Sequence, residues 1–364
     1  MLRRAIGLIA LLSGCTDPAY KGSATTDDGS ADGADGAEGA DGGEDGADGA
    51  DGADGGADGG DGGSGDGGDG GADGGEDGAD GGDGSGDGRG IWAWRDRDSP
   101  YGTEAIVGDV EAETAMIADL TAWGVDRVYG TYSDRPSSEP AVIAAWNTRL
   151  HEAGIQSYAL MGDPAWISPD EWDAMDTRIQ DRLLLFNAAQ EDATTQFDGL
   201  HLDIEPHAAD DWRTISESER YDRLMLLLDT YLHARGLIDA SETPELPIAA
   251  DLPVWYDRLP ESLGGEGPIG WPAETDRNAW FGTVGGALTS VSLMAYELNV
   301  EAEILDRVSN ETAMFSGESR IALNEEVGTT WTDINEMFTM AETLEAGGRA
   351  VDLHSYARIK AQLP

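Results

Sequence analysis

The stretch FDGLHLDIEPH, residues 197–207, has the two-residue alternation of a buried β-strand that ends in ionisable groups. Successive side chains of a strand point to opposite faces. One face therefore carries the apolar residues Leu200, Leu202 and Ile204, and the other carries the ionisable residues His201, Asp203 and Glu205. An uncompensated charge inside a protein costs several kcal/mol, so the ionisable face indicates a function. The alternative is a buried polar network that fixes the strand register.

Seven further apolar segments alternate with stretches of helical period, which makes eight candidate strands in all. They are IWAW from Ile91, DRVYGTY from Asp126, IQSYALMG from Ile155, DGLHLDIE from Asp198, PIAADLPVWY from Pro247, SVSLMAYE from Ser290, RIALNEE from Arg320 and RAVDLHSY from Arg349. Eight strand–helix units predict a closed (β/α)8 TIM barrel, whose site lies at the carboxyl ends of its strands. An open doubly wound sheet is the alternative, but no glycine-rich phosphate fingerprint follows the first strand.

The segments between the strands carry helix signals at their ends. Pro140 begins a helix with one apolar face, and Gly154 ends it. Ser216 and Glu219 form a capping box before the next clear helix, which we expect to end at Gly236. Helices with such clear ends between the candidate strands favour a parallel sheet covered by helices.

Charge divides the chain into two parts. The 364 residues of the chain have a formal net charge of −50. Residues 27 to 87 contain 21 acidic residues and no basic one, whereas residues 90 to 364 contain 50 acidic and 18 basic residues. Residues 16–89, mostly Asp, Gly and Ala, have nothing to bury and are predicted to be a disordered acidic linker. Residues 90–364 are enough for one barrel. The acidic excess argues against nucleic acid as a partner and disfavours strongly anionic substrates.

The first 15 residues, MLRRAIGLIALLSGC, combine two arginines, a short apolar run and the single Cys of the chain. A charged start and an apolar run too short to span a bilayer are typical of a secretory signal. The segment resembles the lipobox of bacterial lipoproteins, which implies lipid attachment to Cys15. In Gram-negative lipoproteins Asp after this Cys is the usual inner-membrane retention signal, and Thr16 stands here, which implies the outer membrane, facing the cell surface or the periplasm. An ordinary secreted protein is the alternative.

A metal site has to be considered, because His201, Asp203, Glu205 and His207 are all possible ligands. Alternate residues of a strand lie about 6.6 Å apart at Cα, and His201 and His207 about 20 Å, so neighbours could share an ion but all four could not. Neither a paired His on a helix nor a second Cys accompanies them. We expect no metal site and no cofactor, and a metal-dependent hydrolase stays an alternative.

Two of the candidate strands resemble those of a known enzyme family. DGLHLDIE, residues 198–205, resembles the D-G-x-D-x-D-x-E strand of chitinase-like enzymes, glycoside hydrolase family 18, and MAYE, residues 294–297, resembles its M-x-Y-D. The resemblance implies a TIM barrel in which Glu205 protonates the glycosidic oxygen, Asp203 orients the acetamido group of the substrate and Tyr296 hydrogen-bonds it.

The chain departs from that family pattern at two positions. His201 replaces the middle Asp of the first motif, and Glu297 replaces the Asp of the second. These departures leave the substrate-assisted mechanism open. A barrel that binds glycans without cleaving them is therefore an alternative function.

A second resemblance is to the clan of retaining barrel glycosidases that have an acid on the fourth strand and a nucleophile on the seventh. Glu205-Pro206 would supply the acid, although Ile204 stands where that clan commonly has Asn. Glu325 and Glu326 point to opposite sides of the seventh strand, so only one reaches the cavity, and Glu325 is the predicted nucleophile. Both resemblances make Glu205 the acid, which needs a raised pKa.

Aromatic residues support a carbohydrate substrate, because flat ring faces stack on pyranose rings. Several lie at predicted strand ends or in the loops that follow, and with two histidines they are the candidate substrate-binding residues: Trp94, Trp166, Trp212, Trp255, Tyr356, His201 and His207. His354 lies on the same strand as Tyr356 and is expected at the same mouth. Trp123 and Trp146 lie within helical patterns and are predicted core residues.

The sequence thus predicts an exported glycoside hydrolase-like barrel that is anchored to a membrane through Cys15. Its expected partners are a carbohydrate substrate and the membrane that holds the lipid, and we expect a monomer. The sugar and its linkage do not follow from the sequence.

Overall fold

The computed structural model describes residues 88–363. The predicted signal segment with Cys15 and the linker up to residue 87 lie outside the described residues. Eight parallel strands form a closed barrel in chain order, and the first pairs with the eighth. The strands are β1 Arg89–Ala93, β2 Val125–Gly130, β3 Gln156–Met161, β4 Gly199–Leu202, β5 Ile248–Pro253, β6 Ser290–Met294, β7 Glu318–Asn324 and β8 Ala350–His354. The predicted TIM barrel is confirmed, with β1 beginning at Arg89, which the charge pattern assigned to the linker.

Helices cover the outside of the barrel. They are α1 Thr103–Ile106, α2 Val110–Ala122, α3 Arg135–Ser138, α4 Pro140–Glu152, α5 Trp172–Ile179, α6 Leu185–Ala188, α7 Glu217–Asp239, α8 Glu274–Ala287, α9 Glu301–Arg307, α10 Ser309–Met314, α11 Ile334–Ala346 and α12 Tyr356–Gln362. A π-helical turn, Gln180–Leu184, joins α5 to α6, and short 3-10 turns lie at Pro164–Ile167, Pro169–Glu171, Ala193–Thr195, Pro206–Ala208 and Glu261–Leu263. No helix among residues 88–363 is both long and apolar enough to cross a membrane.

The predicted helix boundaries hold except at one glycine. The capping box of Ser216 and Glu219 is present at the start of α7, and Gly154 follows α4 with a positive φ of 76°. Gly236 was expected to end α7, but the helix continues to Asp239. Ile238 is fully buried in this last turn, so its packing outweighs the low helix propensity of the glycine.

Two apolar clusters lie on either side of the strands. The outer one contains β4 residues Leu200 and Leu202 with Ile204, packed against the helices as the alternation predicted. The inner one fills the barrel and consists of Trp92, Tyr129, Tyr158, Leu160, Ala249 and Ala322. His201 belongs to the inner face, because its ring lies 4.0 Å from the ring of Tyr129, centroid to centroid.

A buried ion pair fills the barrel interior next to the start of β1. Nε of Arg320 on β7 donates to Asp352 on β8 at 2.6 Å, and both side chains are fully buried. The backbone N–H of Gly90 and the hydroxyl of Ser292 donate to the same carboxylate. Any side chain at Gly90 would collide with Asp352, which explains the glycine there.

A buried pair of acidic side chains lies outside the barrel, between α10 and the segment after β5. Glu311 is fully buried, and it neighbours the carboxylate of Asp257, which accepts a hydrogen bond from Asn310 at 2.8 Å. Burial, and then the charge of Asp257, raises the pKa of Glu311 to about 9. Glu311 is therefore protonated in the folded protein at neutral pH.

Replacing Glu311 with Gln is expected to stabilise the protein at pH 7 by about 2–3 kcal/mol. The raised folded-state pKa of Glu311 means that its contribution to stability is complete below the unfolded pKa, about 4.5, and is lost as the pH rises through about 9. A neutral amide of the same size removes this loss. Urea unfolding of wild type and variant between pH 4 and 9 measures the difference, which should grow with pH.

Glu303→Gln, on the exposed side of α9, is the matched control and should follow the wild type at every pH. If the stability difference between Glu311→Gln and wild type were constant with pH, Glu311 would not be protonated in the folded state.

Candidate active site

The carboxyl end of β4 places two acidic side chains at the barrel mouth. Asp203 and Glu205 directly follow the strand on the side of His201, and both are partly exposed. The backbone N–H of Asp203 donates to the carbonyl of Met161 on β3 at 3.0 Å. A Cβ at Gly162 would collide with the Asp203 backbone, so the close approach of these two segments requires glycine at this position.

A third acid, Asp251 on β5, lies below this pair inside the barrel. It is 3% exposed, and its Oδ2 accepts a hydrogen bond from the indole of Trp92 at 3.2 Å. Nε2 of His201 lies 2.9 Å from its Oδ1, although the angles of this contact are not those of a hydrogen bond. Asp251 was missed in the sequence, where only its place among apolar residues of a strand marks it as unusual.

The surroundings of Glu205 favour its protonated form. Burial first, and then the negative charges of Asp203 and Asp251, raise its pKa well above the usual range. Such a group holds a proton at the pH where an ordinary glutamate has lost it. The side chain remains 14% exposed, which leaves a path to a ligand.

An aromatic group stands beside Glu205 on the β4 and β5 side of the mouth. Nε2 of His207 lies 3.5 Å from Oε1 of Glu205, and Nδ1 lies 3.0 Å from the hydroxyl of Tyr256. Burial lowers the pKa of His207 to about 4, so this histidine is neutral and adds no positive charge next to Glu205. The rings of Trp212 and Trp255 lie 6.4 and 5.2 Å from that of His207, centroid to centroid.

A second aromatic group comes from β1, β6 and β8. The ring centroids of Trp94 and Tyr296 lie 6.0 and 5.5 Å from that of His354. Burial, and then the charges of Asp251 and Glu205, raise the pKa of Tyr296 well above its usual value, so its hydroxyl stays protonated. Tyr296 therefore lies close enough to Glu205 for the charge of Glu205 to affect its pKa.

Glu325 lies behind this second group. It follows β7 on the face of Ile321 and Leu323, which pack toward the helices, and it is 2% exposed. One carboxylate oxygen contacts His354 and the other Arg358. The predicted role of nucleophile therefore needs correction: the alternation puts Asn324, and not Glu325, on the inner face.

Three of the predicted substrate-binding residues lie elsewhere. His201 is fully buried inside the barrel against the ring of Tyr129. Trp166 is 1% exposed and packs in the outer core, where its carbonyl accepts a hydrogen bond from Thr230 of α7. Tyr356 begins α12 and donates its hydroxyl to Asp119 of α2 at 2.9 Å. Trp166 and Tyr356 are held in helix packing and His201 in the barrel interior, so none of the three lines the mouth.

The remaining predicted residues come together at the mouth and are suited to acid catalysis. The site contains a carboxyl group poised to donate a proton, two further carboxylates, and aromatic rings on two sides: Glu205, Asp203, Asp251, Tyr296, Trp94, His207, Trp212 and Trp255. Within residues 88–363 no group of three or more His, Cys, Asp or Glu side chains is arranged to hold a metal ion.

No family model matches the sequence, and no curated protein is significantly similar to it. Solved structures match in fold. The glycoside hydrolase domain of PgaB (BpsB) from Bordetella bronchiseptica is 13% identical, with a TM-score of 0.47 over 76% of this chain and 96% of that one. A chitinase from Bacteroides thetaiotaomicron is 10% identical, with a TM-score of 0.43 over 74% and 90%. A D-psicose 3-epimerase from Clostridium cellulolyticum H10 is 11% identical, with a TM-score of 0.39 over 74% and 85%. Barrels of different chemistry are among these, so the likeness concerns the fold alone.

Proposed function

We propose that this protein hydrolyses a glycosidic bond, with Glu205 as the general acid. The observation that carries the proposal is the raised pKa of a partly exposed carboxyl group at the end of β4, with two carboxylates and two groups of aromatic rings around it. A protonated carboxyl donates its proton to the leaving oxygen of the bond that breaks, and aromatic faces suit the C–H faces of sugar rings.

The step that stabilises the sugar cation is assigned to the substrate itself. Glu325 is engaged by His354 and Arg358, so a nucleophile from β7 is not part of the proposal. An acetamido group of the substrate would take this role: its carbonyl oxygen bonds to the anomeric carbon as the glycosidic C–O bond breaks, and water then displaces it. Asp203 would orient this group and the protonated hydroxyl of Tyr296 would hydrogen-bond it, as the resemblance to family 18 implies. The proposed substrate class is therefore a glycan that contains N-acetylated amino sugars.

The test is product analysis on defined glycans. The full-length protein is incubated with oligosaccharides of N-acetylglucosamine and with matched glucose oligosaccharides, and new reducing ends are measured together with binding. We expect cleavage of the acetylated series only. Cleavage of both series would contradict the acetamido-assisted step, and binding without any new reducing ends would replace the hydrolase proposal with a glycan-binding barrel.

We also propose that the protein is exported and carries lipid on Cys15, with the outer membrane as its destination. The support is the charged start, the short apolar run and the position of the single cysteine. Replacing Cys15 with Ser is expected to move the protein from the membrane fraction to the soluble or unprocessed fraction, because the attachment atom is lost. Labelling of cells with a radioactive fatty acid, followed by fractionation, measures this.

Thr16→Ser is the matched control and should leave both label and fractionation unchanged. Equal fatty-acid labelling of wild type and Cys15→Ser would contradict the anchor.

A further inference from the structure

Glu325 is held at three points by neighbouring elements. Its Oε2 lies 3.1 Å from Nδ1 of His354, its Oε1 lies 3.2 Å from Nη1 of Arg358, and its backbone carbonyl accepts a hydrogen bond from Gln362 at 2.9 Å. His354 ends β8, and the other two residues are on α12. The carboxylate is engaged at both oxygens and 2% exposed, an arrangement that fixes the side chain that it contacts.

The hydrogen bonds of His354 determine which of its nitrogens carries the proton. Nε1 of Trp94 donates to Nε2 of His354 at 3.2 Å, and an indole N–H is a donor only. Nε2 must therefore be the acceptor, so the proton lies on Nδ1 and is donated to Glu325. The carboxylate, the imidazole and the indole form one directed chain of hydrogen bonds.

This chain ends on a ring at the barrel mouth. Trp94 directly follows β1 and is partly exposed, and its ring packs against the inner apolar cluster. The ring of His354 has three aromatic neighbours. Its centroid lies 6.0 Å from that of Trp94, 5.5 Å from that of Tyr296 and 5.7 Å from that of Trp92. A tryptophan whose N–H is tied to a fixed acceptor keeps one ring orientation, which reduces the entropy lost when a ligand stacks on it.

We propose that Glu325 and His354 are positioning residues that hold the indole of Trp94 as a fixed stacking platform for one sugar unit beside Tyr296. The platform's use in turnover rests on the proposed glycosidase function. The hydrogen-bond chain does not, and it can be measured without any substrate.

The substrate-free test is 15N NMR of the histidine side chains in the full-length protein. The wild type is expected to show His354 with a protonated Nδ1 and an unprotonated Nε2 at pH 7. Glu325→Leu removes the acceptor while keeping the volume, and it should change the tautomer of His354 and shift the indole N–H signal of Trp94. His354→Phe should shift the Trp94 signal as well, and His354→Gln, which retains an acceptor, should restore it in part.

The kinetic test uses the same variants on the acetylated oligosaccharides. Glu325→Leu and His354→Phe are expected to raise KM about tenfold while changing kcat much less, because they loosen a binding surface. In a Trp94→Ala background Glu325→Leu should raise KM no further, since the platform is already gone. Glu326→Gln, at the neighbouring position, is the control and should match the wild type.

Three results would overturn the proposal. The first is a His354 protonated on Nε2 in the wild type. The second is an additive effect of Glu325→Leu on KM in the Trp94→Ala background. The third is loss of kcat in a Glu325→Ala variant that azide or formate restores, because that result identifies Glu325 as a nucleophile. If no glycan is cleaved by the wild type, the glycosidase function fails, and the NMR result still decides the hydrogen-bond chain.

Discussion

Replacing Glu205 with Gln is expected to lower kcat by on the order of 10²–10⁴-fold while leaving glycan binding and folding intact. The amide has the size of the carboxyl group but holds no proton that it can give to the leaving oxygen. Because burial and the charges of Asp203 and Asp251 raise the pKa of Glu205, the wild type should stay active at a pH where an ordinary glutamate is ionised. Its activity should fall as the pH rises through that raised pKa, and this basic limb should be absent from any residual activity of the variant.

The control for this variant is Glu342→Gln on the exposed side of α11, which should retain full activity. Thermal unfolding of both variants separates a catalytic loss from a folding defect. Because removal of a buried group with a raised pKa does not destabilise the fold at neutral pH, the Tm of Glu205→Gln should equal or exceed that of the wild type. Unchanged turnover in Glu205→Gln would exclude this residue as the acid.

The barrel could be predicted from the sequence because eight short apolar runs alternate with stretches of helical period. Two of the helices between them also carry end signals: Pro140 and Gly154 for α4, and the capping box of Ser216 for α7. Such local signals add up over eight units. The end of α7 was predicted wrongly because burial of Ile238, a tertiary contact, decides it and Gly236 does not.

The site could be predicted in part, since two of its three acids, Asp203 and Glu205, directly follow one strand. The alternation along residues 198–205 gives the inner face, and with it His201, Asp203 and Glu205. Asp251 was missed because the residues on both sides of it in β5 are apolar, so the sequence does not show which face of this strand lies inward. The inner position follows from Ala249, two residues earlier, which belongs to the inner cluster.

The face of Glu325 and the packing of Trp166 depend on neighbours that are distant in sequence. The alternation of a strand shows that Glu325 and Glu326 point to opposite faces. Which of the two faces lies inward follows from Ile321 and Leu323, which pack on the helices. For Trp166 the loop position is correct, and the loop folds back onto α7. A tryptophan in a loop can thus be core: Trp166 is 1% exposed, whereas Trp94 is partly exposed.

The largest effect on stability is expected from Asp352→Asn, which leaves the buried Arg320 without its fully buried carboxylate partner and with Glu318, whose side chain is 35% exposed, as its remaining acid. Burial raises the pKa of Asp352, but Arg320 and the hydrogen bonds from Ser292 and Arg320 outweigh this and hold it below the usual value. Breaking such a pair from one side costs about 3–5 kcal/mol, which corresponds to a fall in Tm of roughly 6 to 15 °C. A lowered folded-state pKa contributes stability above the unfolded pKa of about 3.9 and loses it as the pH falls through the folded value. The difference between wild type and variant in urea unfolding should therefore be largest at neutral pH and shrink below pH 4.

Two comparisons separate the ion pair from the general effect of losing a charge. Asp239→Asn removes an ion pair with Arg235 in which the acid is 60% exposed, and it should cost less than about 1 kcal/mol. The double variant Arg320→Met with Asp352→Leu removes both charges and should recover much of the loss, because the cost of Asp352→Asn comes from the charge that is left behind. A double variant as unstable as Asp352→Asn would mean that the hydrogen bonds from Gly90 and Ser292, and not the buried charge of Arg320, determine the stability of the barrel interior.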